Sequence, residues 1–241
     1  MNEPQIIAVG GALLRPETGN TALERYIVDA CGKERPRVCF VPTASGDDLT
    51  YIARFCETYG RLGVEMDVLR FFRRTPPDLR EYLFAFDVVH VGGGNTRSML
   101  AIWRHWNFDR VVREAWERGT VLCGSSAGSI CWFERGVTDS VAGRLEAMEC
   151  LGFLAGSNCP HYDGEAERRP AYHRLVAAGE LMDGYACDDG VGLHFLGTTL
   201  KRVVASRPNA NAYRVVADGR RVQQQTLPAE QAMSIASNRP A

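Results

Sequence analysis

The 241-residue sequence lacks several features that would direct it to particular partners or compartments. No stretch approaches the ~20 apolar residues needed to cross a bilayer. Met1-Asn2-Glu3-Pro4 shows no basic segment leading into an apolar one, so no secretory leader is expected. Charge of one sign is not in excess: 28 basic against 29 acidic residues leave a formal charge of −1, which excludes bulk attraction to nucleic acid or an anionic membrane. The eight cysteines (Cys31, Cys39, Cys56, Cys123, Cys131, Cys150, Cys159, Cys187) form no Cys-x-x-Cys pair and no ligand-like cluster with histidine. Reduced, mostly buried thiols in a cytoplasmic protein are expected, with no cofactor, no metal and a small-molecule partner.

What is present is an alternation. Short apolar runs at Ile6 to Val9, Val38 to Val41, Met66 to Leu69, Val88 to Val91 and Val121 to Cys123 are β-rich. Amphipathic stretches follow them at Thr21 to Ala30, Leu49 to Leu62, Leu79 to Phe84, Thr96 to Trp116 and Ala127 to Glu134. This pattern predicts an α/β fold: a three-layer sandwich with a mostly parallel central sheet covered by helices on both faces. The carboxyl ends of its strands, where Gly10-Gly11, Pro42-Thr43-Ala44-Ser45 and Gly92-Gly93-Gly94-Asn95 fall, are where ligands bind in such sheets. After a helix near Ala171 to Ala178, runs at Gly184 to Cys187, Val191 to Phe195, Thr198 to Ser206 and Tyr213 to Val216 predict a small β-meander at one edge. Residues 1–222 are expected to form a single domain and 223–241 a polar, partly frayed tail.

Chemistry concentrates at Gly124-Ser125-Ser126-Ala127-Gly128. A buried strand, a Gly-x-Ser-x-Gly turn and a helix together place the central serine on a strained elbow at the sheet's edge, beside a helix N-terminus that stabilises developing negative charge. Ser126 is therefore the candidate nucleophile; the same residues would also make a plain flexible turn or a phosphate-binding loop. The glycine loop at 92–94 offers inward-facing N–H groups, and Gly94 with Ala127 is the candidate oxyanion hole. A nucleotide cradle is the rival reading, against which the loop has neither the Gly-x-Gly-x-x-Gly spacing nor a Walker lysine.

Of five histidines, His90 in an apolar strand and His105 on an amphipathic helix read as structural. His161, in the loop-like Asn158-Cys159-Pro160-His161-Tyr162-Asp163, is the candidate base, with an ordinary surface histidine as the alternative. An orienting carboxylate would come from the Asp188-Asp189-Gly190 turn, which is also a strong hairpin signal, or from Asp139.

Taken together, the Gly-Gly loop, Val41-Pro42-Thr43-Ala44-Ser45, Gly-Gly-Gly-Asn-Thr, Ser-Ala-Gly and Pro-His motifs resemble the peptidase E family of serine peptidases, which includes cyanophycinase. The resemblance implies a class I glutamine amidotransferase-like (flavodoxin-like) fold and a catalytic triad in the order serine, histidine, acid: Ser126, His161 and Asp189, with Asp188 and Asp139 as alternative acids. The best-known members are similar but carry glutamate at the acid, one methylene longer. The family also implies dipeptidase activity after an N-terminal aspartate, with an arginine downstream of the histidine binding the substrate carboxylate. Asn95, Arg168 and Arg169 are the substrate-binding candidates, although two arginines at a helix start would equally form a solvated charge pair. The expected substrate is a short peptide. A cyanophycinase-like or isoaspartyl-type peptidase and a non-catalytic binding protein on the same fold are the alternatives. Nothing in the sequence decides whether the chain forms a homo-oligomer.

Overall fold

Successive side chains of a strand point to opposite faces of its sheet, and here both faces are apolar. In a computed structural model that describes residues 3–232, β1 (Gln5–Val9) sends Ile6 and Ala8 to one side and Ile7 and Val9 to the other. The chain continues through α1 (Ala22–Ala30), β2 (Arg37–Val41), α2 (Leu49–Arg61), β3 (Glu65–Val68), α3 (Leu79–Leu83) and β4 (Val88–Val91). Next come α4 (Thr96–His105), α5 (Phe108–Glu117) and β5 (Val121–Ser125). The five strands are parallel, in the spatial order β1-β5-β4-β2-β3. Ile7, Val9, Phe40 and Cys123 pack under α1 and α2, while Ala8, Val41, Val91 and Leu122 pack under α3, α4 and α5. Burial on both faces explains why these strands read as continuous apolar runs. The side chains that precede α2 and α4 cap them: Asp48 accepts from the Tyr51 N–H at 2.7 Å and Asn95 from the Ser98 N–H at 2.9 Å.

Two expected helices are shorter than their apolar pattern. The stretch 96–116 breaks at Asn107, whose positive φ of 54° turns the chain between α4 and α5. The stretch 127–134 is only one turn of helix, α6 (Ala127–Ile130). It gives way to β6 (Phe133–Thr138), β7 (Glu146–Glu149) and β8 (Leu154–Cys159), strands that periodicity did not reveal.

After α7 (Arg168–Ala177), the strands expected as one meander are divided between two sheets. β10 (Val191–Leu196) and β11 (Thr199–Ala205) extend the first sheet antiparallel beyond β1. β9 (Gly184–Cys187) and β12 (Ala212–Asp218) instead join β13 (Arg221–Leu227) and β6–β8 in a second sheet of order β13-β12-β9-β8-β6-β7. Phe133, Leu154 and Ala212 of the second sheet share one apolar cluster with Ile6 and Leu122 of the first, which locks the sheets together. The tail boundary also moves. Residues 223–227 belong to β13, and β14 (Glu230–Gln231) pairs with β11, so ordered structure runs past 222. The remainder of the expected tail, 233–241, lies outside the described residues.

Candidate active site

The elbow forms because its neighbours are glycine. A Cβ on Gly124 would lie 2.4 Å from the Val91 carbonyl oxygen, and one on Gly128 2.2 Å from the same atom. Only without those side chains can the turn after β5 press against the end of β4. Between them Ser126 adopts φ 57°, ψ −117°, a conformation that costs a non-glycine residue about 1–3 kcal/mol and persists only when its surroundings impose it. Ser126 stands half-buried directly before α6, so the Ala127 N–H belongs to a helical first turn with no partner one turn earlier.

Gly93 is the residue that faces the serine: a Cβ there would lie 3.2 Å from the Ser126 Cβ and 3.8 Å from its Oγ. The Gly93 N–H is engaged, donating to the Tyr51 hydroxyl at 3.1 Å. Gly94 has φ 136° and crowds the Ala44 carbonyl, while the next residue, Asn95, donates its N–H to that carbonyl at 2.8 Å. Among the described residues neither the Gly94 N–H nor the Ala127 N–H has a protein acceptor.

His161 comes from the second sheet, just past β8, and also has a positive φ, 54°. Its Nδ1 is 2.8 Å from Asp189 Oδ1, and its backbone N–H donates to the Gly10 carbonyl at 3.1 Å. The neighbouring carbonyl, Val9, accepts from the Ser126 N–H at 3.4 Å. The end of β1 thus anchors the backbones of the candidate nucleophile and the candidate base through consecutive carbonyls. Gly11 makes room for the pair, since a Cβ there would lie 2.0 Å from Asp189 Oδ1 and 2.6 Å from His161 Nδ1. The hydrogen bond from His161 holds the Asp189 carboxyl below the usual carboxylate range, against the opposing effect of burial and with smaller help from Arg15 and Arg207.

The 188–190 turn is not a hairpin. β9 and β10 do not pair; the turn carries the chain from the second sheet to the first. Its two aspartates therefore diverge. Asp188 points away from His161 and accepts from the Asn211 N–H at 2.9 Å and the Tyr213 hydroxyl at 3.3 Å, and burial raises its pKa. Asp139, the other alternative acid, is exposed and pairs with Arg168 at 3.2 Å.

The three substrate-binding candidates are all engaged elsewhere. Asn95 caps α4 and donates its Nδ2 to the Ser140 carbonyl at 3.0 Å. Arg168 is 1% exposed, and its guanidinium is held by Glu165 at 2.6 Å, by Asp139 and by the Val137 carbonyl at 3.2 Å. Arg169 lies over the rings of Tyr162 and Tyr213. His90 is structural: it bonds the Tyr59 hydroxyl at 2.8 Å inside the core, where burial pulls its pKa down to about 3. Burial likewise pushes the thiols of Cys123 and Cys131 well up, so neither rivals Ser126 as a nucleophile. The sequence singled out the Gly10-Gly11 loop but not Tyr51 or Arg207, which lie in segments that look ordinary along the chain.

Known proteins resemble this chain in sequence and in fold. The profile of peptidase family S51 matches residues 6–203. The uncharacterized peptidase YgaJ of Bacillus subtilis (strain 168) is 50% identical over 212 residues, 88% of this chain and 92% of that protein. Among solved structures, a peptidase from an acI-B1 Actinobacterium superposes with a TM-score of 0.70 at 18% identity, covering 97% of both chains. A peptidase E protein from Listeria monocytogenes EGD-e does so with a TM-score of 0.55 at 15% identity, over 94% of this chain and 100% of its own. At such identities the two structures speak to the fold alone, which is the mostly parallel α/β fold described above.

Proposed function

We propose that this chain, which belongs to peptidase family S51 and is a serine-type peptidase, hydrolyses short peptides through Ser126, His161 and Asp189. Ser126 Oγ attacks the scissile carbonyl while His161 Nε2 takes its proton. Asp189 holds the Nδ1–H and stabilises the imidazolium. The N–H groups of Gly94 and Ala127 receive the oxyanion. His161 then protonates the leaving amine, the C–N bond breaks, and water attacks the acyl-serine by the same route in reverse.

The observation that carries this reading is the 2.8 Å contact of His161 Nδ1 with Asp189, combined with an imidazole whose Nε2 has no protein partner among the described residues. A histidine held at one nitrogen and free at the other is what a general base requires. The setting proposed is the cytoplasm, where eight cysteines outside any disulfide stay reduced.

The preferred substrates on this reading are dipeptides, with N-terminal aspartate the first specificity to test. Because Arg168 and Arg169 are engaged, an aspartate side chain would have to meet a different cation. A dipeptide library containing α- and β-linked aspartyl members tests this directly. Release of free amino acids by the wild type and none by Ser126→Ala is expected. Hydrolysis retained in Ser126→Ala would remove the serine from the mechanism, and cleavage confined to β-linked members would replace the dipeptidase reading with an isoaspartyl one.

A further inference from the structure

Asp189 lies on the strand-free passage between two sheets, where a carboxylate has no regular ladder to hold its aim. Its backbone is nevertheless fixed on both sides. The Asp189 N–H donates to Asp163 Oδ1 at 2.8 Å, and Arg207 Nε donates to the Asp189 carbonyl at 2.6 Å. Arg207 Nη2 closes the circuit by donating to the second oxygen of Asp163. Among the described residues these are the only side-chain hydrogen bonds that Asp163 and Arg207 make, and neither bonds His161.

The Asp163 and Arg207 side chains are 34% and 39% exposed. Ion pairs that open to water contribute little to stability, so the ring is poorly suited to holding the fold together. It is well suited to holding one peptide unit. A guanidinium can donate from Nε and Nη2 in a fixed fork to a carbonyl and a carboxylate at once, and an ammonium cannot reproduce that geometry.

We propose that Arg207 and Asp163 are positioning residues for the acid of the site, gripping the Asp189 backbone so that its Oδ1 meets His161 Nδ1 and fixes the tautomer that leaves Nε2 free. This rests on the reading of Ser126, His161 and Asp189 given above. Because Asp189 is a short side chain passing between Gly11 and Gly164, displacement of its backbone cannot be made up by a change of rotamer. An error of about 1 Å at such a site costs on the order of 100-fold in rate.

The test compares wild type with Arg207→Gln, Arg207→Lys, Asp163→Asn and the Arg207→Gln/Asp163→Asn double variant. The readouts are kcat and KM on a cleaved dipeptide, the rate of Ser126 labelling by a fluorophosphonate, and thermal midpoint. Each single variant, Lys included, is expected to lose about 10–100-fold in kcat and in labelling rate, with KM and midpoint little changed. The double variant should be no worse than the worse single one, because the residues act as one unit. Labelling rates equal to wild type, losses that multiply in the double variant, or a rise in KM at constant kcat would each overturn the proposal. If Arg207→Gln does not fold, Asp163→Asn carries the same comparison. Should the wild type neither label nor hydrolyse, the reading of Ser126 fails on its own. The ring is then judged by the His161 Nδ1 proton resonance, which must be lost in the variants; its persistence there overturns the proposal.

Discussion

Ser126 and His161 are tied to consecutive carbonyls at the end of β1, the first to Val9 and the second to Gly10. They come from different sheets, 35 positions apart along the chain as their numbers show, yet their backbones are anchored by two consecutive peptide units at the end of β1. Both residues also take positive φ, a left-handed backbone that side-chain-bearing residues rarely adopt. Strain and registration coincide where the chemistry is proposed.

Strain at Ser126 should be measurable as stability. Replacing it with glycine, which adopts φ 57° without penalty, is expected to stabilise the protein by about 1 kcal/mol while abolishing hydrolysis. Denaturant unfolding of Ser126→Gly beside Ser126→Ala checks this. A glycine variant no more stable than the alanine variant would mean that the turn is unstrained.

The two aspartates of the crossover turn should separate cleanly. Asp189→Asn is expected to lower kcat by about 10³–10⁴-fold, the loss typical when a triad acid can no longer hold the correct tautomer. Asp188→Asn, which can still accept from Asn211 and Tyr213, should stay close to wild type. The pH dependence follows from the lowered Asp189 pKa. The unfolded state then binds the proton more readily, so the stability contributed by Asp189 is complete above the unfolded carboxyl pKa of about 3.9. It is lost as pH falls through the lower folded value, and the stability gap between wild type and Asp189→Asn should close in that window. Urea titrations at successive pH values measure it.

Arg168 should matter for stability and not for substrate. It is the buried first residue of α7, its guanidinium bonded to Glu165, Asp139 and the Val137 carbonyl. Arg168→Ala is expected to cost about 2–4 kcal/mol through lost packing and charge-assisted hydrogen bonds, with KM for dipeptides unchanged. A selective rise in KM for aspartyl substrates would return Arg168 to the binding site.

Acid should destabilise the protein through histidines remote from the site. Burial lowers the pKa of His90 to about 3 and of His194 to about 4, below the unfolded value of about 6.5. Between those limits the unfolded chain binds protons that the folded chain refuses, so stability falls with falling pH by about 1.4 kcal/mol per pH unit for each histidine. His194→Gln should reduce the slope between pH 4 and 6 by one proton, as read from urea midpoints across that range. An unchanged slope would mean that His194 charges within the fold.

By itself the sequence determined the parallel sheet, because strands buried on both faces must be apolar throughout, and it determined the elbow that carries the candidate Ser126, because the constraints there are local. Gly124 and Gly128 are small for contacts made within one strand–turn–helix unit. His161 was legible from its place after a proline, and Asp189 from its turn and the family resemblance. Tertiary structure alone decided how the second half folds. Apolar periodicity shows that a run is a strand but not which sheet receives it, so β9 and β10, close in sequence, part company and turn an apparent hairpin into a crossover. That parting faces Asp189 toward His161 and Asp188 toward Asn211. It also brings in Arg207, whose partners lie 18 and 44 positions away in the chain. Arg168 and Arg169 had the right chemistry for a carboxylate, but side-chain type does not reveal which partner a fold will supply, and here the fold supplies both arginines with partners of its own.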